Sequence, residues 1–116
     1  MPVQYKLCKS TMGHFYYKLT AENNKVILTS EMYFSKSSAQ SGIASCQNNS
    51  SNEARYVRFE SKNGKYYFYL RANNNQVIGT SEMYASAASR DKGIETVKRV
   101  SPNAPTIDDT EFPSRN

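Results

Sequence analysis

The stretch Gly13–Cys46, which reads GHFYYKLTAENNKVILTSEMYFSKSSAQSGIASC, is the most informative part of the sequence, because a close copy of it follows 51 residues later. The copy is Gly64–Val97, which reads GKYYFYLRANNNQVIGTSEMYASAASRDKGIETV. The two stretches align without a gap and are identical at 17 of 34 positions. A repeat of this length indicates one supersecondary unit used twice. The sequence therefore predicts a duplicated domain, in which each residue of one unit has a counterpart in the other.

The repeat sets the predicted organisation of the whole chain. One unit covers about 4–53 and the other about 54–108, and together they make a single pseudo-two-fold domain over residues 1–109. The remaining residues, 110–116, are few and polar, so we expect a disordered tail. The total length of 116 residues is that of one ordinary domain.

Each unit contains three segments with the composition of β-strands. The middle segment is dense in aromatic residues, which favour strands. An Asn-rich turn separates the second segment from the third, and asparagine tolerates the left-handed backbone that a tight turn needs. The predicted strands are Gln4–Lys9, His14–Thr20 and Lys25–Ser30 in the first unit, Arg55–Glu60, Lys65–Arg71 and Gln76–Ser81 in the second, and a last strand near Ala104–Asp108.

A helix is predicted after the third strand of each unit. Ser35 and Ser86 precede the helices and are of the residue type that caps a helix N-terminus. A glycine inside a helix costs about 1 kcal/mol relative to alanine, so the recurrence of Gly42 as Gly93 indicates a close approach of helix to sheet. The predicted buried face is Ala39, Gly42, Ile43 and Cys46 in the first helix and Gly93, Ile94 and Val97 in the second, and the predicted ends are near Gln47 and Lys98.

The alignment of the two units favours structural over catalytic, redox or metal-binding roles for the cysteines and the histidine. Cys8 aligns with Phe59 and Cys46 with Val97, so both cysteines occupy positions where an apolar residue is also accepted. This favours buried small hydrophobes over a redox pair. His14 lies beside a turn and aligns with a lysine, which favours an exposed turn residue over a ligand or a catalytic base. We expect no metal site and no cofactor from these residues.

Composition and charge exclude further classes of protein. Fifteen basic and ten acidic residues give a net charge of +5, which either keeps a small protein soluble or helps it to bind a polyanion. No apolar run is long enough to span a bilayer. The first residues, Met-Pro-Val-Gln-Tyr-Lys, lack the apolar core of a secretion signal, so we expect a cytoplasmic protein with reduced thiols.

The repeated elements resemble a known family. The aromatic strand, the Val-Ile-x-Thr-Ser-Glu-Met-Tyr element and the Ser-x3-Ala/Arg-x2-Gly-Ile helix, each present twice, are similar to the YegP-like family, a bacterial domain of unknown function. The resemblance covers about residues 4–108. It implies an α+β fold in which two β-β-β-α-β units share one antiparallel sheet, carry two helices on one face and exchange their last strands. It implies no activity.

Two helices cannot cover both faces of such a sheet, so one face stays partly open. Side chains alternate between the faces of a strand. The more apolar set, which we place under the helices, is Phe15, Tyr17, Leu19, Tyr66, Phe68 and Leu70. The opposite set is the candidate binding face, formed by Tyr16, Lys18, Tyr67, Tyr69 and Arg71. Tyrosines interleaved with cations can bind single-stranded nucleic acid, and they also stabilise a half-exposed strand without any ligand.

The repeated Thr-Ser-Glu-Met-Tyr element joins the third strand to the helix. Its carboxylates, Glu31 and Glu82, invite comparison with a paired acid and base. Because no nucleophile, metal cluster or histidine accompanies them, a structural role is favoured, in which each glutamate accepts backbone N–H bonds. Tyr33 and Tyr84, with the methionine before each, would then pack the helix onto the sheet.

Three classes of function remain. A small non-enzymatic binding or adaptor module of unknown role is favoured, with a protein or peptide bound on the open face or at an edge strand. The alternative is a single-stranded nucleic-acid-binding module that uses the open face. An enzyme is the least supported class, because it needs a pocket with a titratable group of shifted pKa. We expect a monomer that needs no cofactor.

Overall fold

The computed structural model describes residues 3–111, in which seven strands form one sheet that carries two helices. The strands are β1 (Gln4–Lys9), β2 (Phe15–Thr20), β3 (Val26–Thr29), β4 (Tyr56–Glu60), β5 (Tyr66–Arg71), β6 (Val77–Ser81) and β7 (Thr106–Asp109). The helices are α1 (Lys36–Asn49) and α2 (Ala87–Val100), and short 3-10 turns follow them at Glu53–Arg55 and Ser101–Asn103. The predicted α+β class is confirmed.

The two units meet at the centre of the sheet. The strand order is β4-β5-β6-β3-β2-β1-β7, and β3 of the first unit pairs with β6 of the second. Thr29 pairs there with Thr80, its own counterpart in the repeat, so the pseudo-two-fold axis passes between them. At the far edge β7 lies beside β1. The last strand of the second unit therefore completes the sheet of the first, which is the predicted exchange.

Two features of the sheet differ from the prediction. β7 pairs with β1 in parallel, with Tyr5 opposite Thr106, so the sheet is mixed rather than wholly antiparallel. The first unit has no separate last strand, because the turn Glu53–Arg55 leads directly into β4. The sequence could not reveal the strand direction, because an edge strand shows the same alternation of side chains in either orientation.

The predicted turn chemistry is present in both units. Asn24 and Asn75 have φ angles of 64° and 68°, in the left-handed region that asparagine tolerates. Gly13 and Gly64 have φ angles of 85° and 77° in the turns between the first and second strands of each unit. Local chemistry at these four positions therefore accounts for both pairs of hairpins.

The predicted helix caps are also present. The Oγ of Ser35 accepts a hydrogen bond from the backbone N–H of Ser38 at 3.1 Å, and the counterpart Ser86 accepts one from Ser89 at 3.0 Å. The helices end at Asn49 and at Val100, two residues later than predicted, because no proline stops either helix earlier.

One face of the sheet lies under the helices and forms the core. Tyr17, Leu19, Phe68 and Leu70 are fully buried there, as predicted. A Cβ atom built on Gly42 would lie 2.8 Å from the ring of Tyr17, so the glycine is what lets the helix approach the sheet. The predicted close approach is confirmed.

Both cysteines are buried and unpaired, as predicted for small hydrophobes. Burial raises the pKa of the Cys46 thiol to about 11, and burial also raises the pKa of Cys8. We expect neither thiol to react with iodoacetamide in the folded protein at about pH 8, because the thiolate is the reactive form. Mass spectrometry of treated protein checks this, with urea-unfolded protein as the control. Rapid labelling of folded Cys46 would contradict it.

The chain beyond β7 is described only in part. Thr110 and Glu111 form a turn, and the rest of the predicted tail, 112–116, lies outside the described residues. The domain limits and the division between units near residue 54 stay predictions. Within residues 3–111, neither helix is long and apolar enough to cross a bilayer.

Candidate functional site

The first half of the predicted binding face is largely closed. Tyr16 lies opposite Cys8 of β1 and is only 7% exposed, so its ring is not available as a stacking platform. Lys18 lies opposite Lys6 and is half-buried. Of the predicted set, β2 therefore contributes one accessible cation and no accessible aromatic ring.

The second half of the predicted face keeps its aromatic side chains partly accessible. Tyr67 and Tyr69 of β5 are half-buried, and both contact Phe59 of β4. The ring centroids of Phe59 and Tyr67 are 5.0 Å apart in a stacked pair, and those of Phe59 and Tyr69 are 4.9 Å apart. Arg71, farther along β5, is also half-buried. We call Phe59, Tyr67 and Tyr69 the aromatic cluster.

Phe59 is a member of this cluster that sequence reasoning missed. The alignment of Phe59 with Cys8 explains the cysteine but does not by itself place Phe59 beside Tyr67 and Tyr69. The signal was present, because Val57 and Phe59 alternate along β4 and lie opposite Tyr69 and Tyr67 of β5. The structure therefore places the cluster across two strands, next to an edge of the sheet.

The edge beside the cluster is free in the part of the chain that the structure describes. β4 is hydrogen-bonded to β5 on one side, and no other strand of residues 3–111 pairs with its outer side. Its counterpart β1 is paired on the equivalent side by β7. The repeat therefore creates two equivalent strand positions and fills one of them.

Charged side chains surround this edge on the helix side of the sheet. The guanidinium of Arg58 lies 2.6 Å from Glu53 and 3.1 Å from Asp91, and Lys98 lies 2.5 Å from Glu53. Hydrogen bonds from Arg58 and then Lys98 lower the pKa of the Glu53 carboxyl to about 2. Arg90 of α2 donates to the carbonyl of Phe59 at 3.3 Å. The edge strand thus presents an arginine toward the helices and apolar rings on the opposite face.

Each Thr-Ser-Glu-Met-Tyr element exposes its glutamate side chain to solvent and half-buries its tyrosine. Glu31 and Glu82 are exposed, and only their backbone carbonyls are engaged, by Ser30 at 2.7 Å and by Ser81 at 2.8 Å. The expectation that these carboxylates accept backbone N–H bonds is not met in the described residues, where both side chains are exposed. Because β3 and β6 run antiparallel with Thr29 opposite Thr80, Glu31 and Glu82 follow that pair in opposite directions and share no common site.

The tyrosines of the same elements behave as predicted, and the methionines do not. Tyr33 and Tyr84 are half-buried against the helix glycines, with each hydroxyl close to the position of a glycine Cβ. Met32 and Met83 are 56% and 59% exposed, so they do not pack the helices onto the sheet. The reason is the strand-like alternation of this element, which sends neighbouring side chains to opposite sides.

Together these features define a small tandem-repeat α+β domain in which β1 has a strand on its outer side and, among residues 3–111, its counterpart β4 has none. The family model of DUF1508, described as a domain of unknown function, matches the chain twice, at residues 10–56 and 61–108. The chain belongs to this family.

Relatives of the chain share its extent as well as its sequence. A UPF0339 protein of Acinetobacter baylyi is 55% identical over 94 residues, which cover 81% of this chain and 85% of the relative. The UPF0339 protein YegP of Escherichia coli K12 is 51% identical over 94 residues, which cover 81% of this chain and 86% of the relative.

Solved structures confirm the fold. The solution structure of YegP from Escherichia coli, titled a protein of unknown function, superposes with a TM-score of 0.90 at 46% identity and covers 97% of each chain. A UPF0339 protein of Shewanella oneidensis gives a TM-score of 0.89 at 48% identity, over 96% of this chain and 94% of that one.

Proposed function

We propose that the chain is a non-enzymatic binding module that takes an extended segment of a partner protein onto the free edge of β4. The observation that carries the proposal is the repeat itself, because β7 pairs with β1 at the position that no strand of residues 3–111 fills beside β4. Adding a strand to a sheet edge is a common mode of peptide recognition. The fold thus contains its own example of the complex, in the pairing of β1 with β7.

The backbone of β4 supports the same pairing. In β1, the N–H of Tyr5 points outward and donates to the carbonyl of Pro105 at 2.8 Å. The hairpins have the same register in both units, because Ser10 donates to His14 and Ser61 donates to Lys65, each at 2.7 Å. The outward positions of β4 are therefore Tyr56, Arg58 and Glu60. The N–H of Tyr56 already donates to Glu53, so Arg58 and Glu60 supply the amide donors for a partner strand.

The side chains around β4 indicate the chemistry of the partner. In the paired edge, Ile107 of β7 lies opposite Lys6 on the open face, and Asp108 lies opposite Leu7 and forms an ion pair with Lys36 of α1. Beside β4, the open face offers the aromatic cluster and the helix side offers Arg58, which a partner carboxylate would share with Glu53 and Asp91. A segment with an apolar residue on the open face and an acidic residue on the helix side, as Ile107 and Asp108 are placed in β7, matches both sides and complements the net positive charge.

A peptide with the sequence of residues 103–111 is the probe for this edge, because it contains β7. We expect a fluorescent form of it to bind the intact protein with a Kd of about 1 mM or below, since one short strand supplies only a few kcal/mol. Arg58→Pro removes an outward N–H but no bond to β5, and is expected to weaken binding about tenfold or more. Arg58→Lys keeps that N–H and the charge, and serves as the matched control.

Other outcomes decide against the proposal. Equal binding by Arg58→Pro and Arg58→Lys, with both variants folded by circular dichroism, would place the peptide elsewhere. Anisotropy of pooled single-stranded RNA and DNA tests the alternative function. Binding that falls steeply with salt and is lost in Tyr67→Ala with Tyr69→Ala would replace the peptide by nucleic acid on the aromatic cluster.

A further inference from the structure

Two grooves on the helix side of the protein are copies of one another. Each runs between a helix and the turn that joins two strands of the other unit. Eight of the nine positions that line the first groove recur, 51 residues away, in the second. The α1 groove is lined by Tyr33, Ser38, Ser41, Gly42, Ser45, Ala72, Asn74, Gln76 and Ile78. The α2 groove is lined by Ala21, Lys25, Val26, Ile27, Tyr84, Ser89, Lys92, Gly93 and Thr96.

The framework of both grooves comes from the repeated glycine and tyrosine. A Cβ atom on Gly42 would lie 2.7 Å from the hydroxyl of Tyr33, and one on Gly93 would lie 2.4 Å from that of Tyr84. Each tyrosine therefore fits against the bare helix backbone and forms one end of its groove. The two grooves differ in chemistry and not in construction.

The chemical difference lies in two aligned positions. The α1 groove has Ser41 and Gln76, and at the same positions the α2 groove has Lys92 and Lys25. One groove is neutral and lined by hydroxyls and amides, and its copy is cationic.

The α2 groove also continues along its helix. A second cavity of 340 Å³ shares Ala21 and Thr96 with the first, which measures 230 Å³. This extension adds Arg99, one acidic residue, Glu22, and the apolar side chains of Val3 and Val100 to the lining. The helical spacing of Lys92, Thr96 and Arg99 places all three on one face of α2.

The cations of the α2 groove have no carboxylate partner in the described part of the chain. The ion pairs of residues 3–111 use Lys36, Arg58, Arg90 and Lys98, and none uses Lys25, Lys92 or Arg99. Lys25 and Lys92 are the exposed cations of the groove, and Val26 and the buried Ile27 supply its apolar floor. Two free cations over an apolar floor form a site for a ligand with an anionic group and an apolar body.

We propose that the α2 groove is a binding site for a small organic anion, with its carboxylate or phosphate held by Lys25 and Lys92 and its apolar body on Val26 and Ile27. The site does not include the β4 edge, so failure of either this proposal or the proposed function would leave the other unaffected. Its ligand is bound through charge and apolar contact together, which neither inorganic phosphate nor a neutral aromatic alcohol can supply.

Amide chemical shifts of isotope-labelled protein test the site. Phenyl phosphate, benzoate, inorganic phosphate and benzyl alcohol are the probes, and the first two distinguish phosphate from carboxylate. We expect saturable shifts at Ala21, Gly93 and Thr96, with phenyl phosphate or benzoate binding at least about fivefold tighter than the last two probes. Equal and unsaturable shifts near basic residues throughout the chain would overturn the proposal.

The repeat supplies matched variants. Lys25→Gln with Lys92→Ser gives the α2 groove the residues of the α1 groove, and is expected to weaken binding about tenfold or more. Gln76→Lys with Ser41→Lys makes the opposite change, and is expected to create binding with shifts at Gly42 and Ser45. Undiminished binding by the folded first variant would show that the lysines are not the site.

Discussion

Replacing Tyr17 with alanine is expected to destabilise the protein by about 3–5 kcal/mol, the usual cost of removing a large buried aromatic side chain. Tyr17 is fully buried on β2, and its ring stacks on Tyr33 with centroids 5.9 Å apart. Its hydroxyl donates to the carbonyl of Ile78 on β6 at 2.6 Å. The side chain thus joins the two units, and its loss removes apolar contacts and a buried hydrogen bond together. Urea denaturation measures the free energy of unfolding.

Tyr17→Phe is the control, because it removes only the hydroxyl. It is expected to cost about 1–2 kcal/mol, since the carbonyl of Ile78 loses its main donor and keeps the Cys46 thiol, 3.4 Å away. The repeat supports the milder effect, because the counterpart of Tyr17 is Phe68, which is fully buried without a hydroxyl. Equal losses in both variants would show that the hydroxyl, and not the ring, holds the units together.

Gly93→Ala is expected to destabilise the protein by about 1–3 kcal/mol, although alanine is intrinsically the better helix residue by about 1 kcal/mol. The new Cβ would lie 2.4 Å from the hydroxyl of Tyr84 and 2.8 Å from its ring carbon. Real Cβ atoms essentially never approach another atom that closely, so α2 or the tyrosine must move and core packing is lost. Thermal unfolding of the variant, compared with the wild type, measures the effect.

Two further variants test the cause of that effect. Lys92→Ala, at the exposed neighbouring position, is expected to change the free energy of unfolding by less than about 0.5 kcal/mol. Tyr84→Phe removes the closest atom and is expected to recover part of the Gly93→Ala loss when the two are combined. A stabilising Gly93→Ala would show that helix propensity outweighs the contact with Tyr84.

The elements of this protein follow from local chemistry and were therefore predictable. The caps at Ser35 and Ser86, the left-handed turns at Asn24 and Asn75 and the apolar helix faces each depend on a few neighbouring residues. Each of these local features occurs in both units, and the second occurrence supports the prediction made from the first. The helix ends were the least accurate, because no strong stop signal marks them.

The candidate binding face was only half predictable. Tyr67 and Tyr69 keep partial exposure, whereas Tyr16 is buried at the equivalent place in the other unit. The two halves have similar strands, so strand pattern alone predicts the same exposure for both. Their surroundings differ, since β7 lies beyond β1 on the side of Tyr16, whereas no strand of residues 3–111 lies beyond β4 on the side of Tyr67. Exposure depends on such cross-strand neighbours, which single-strand alternation does not specify.

The amino-acid sequence is enough to show that this protein is one unit used twice and to place its strands, turns and helices, because those depend on contacts within a few residues. The folded structure is needed to show that β7 pairs in parallel with β1 and that the outer side of β4 remains free among the described residues. It is also needed to show that Lys25 of one unit and Lys92 of the other line one groove. These pairings join segments far apart in the chain, and chain closure over such distances depends on the packing of the whole domain.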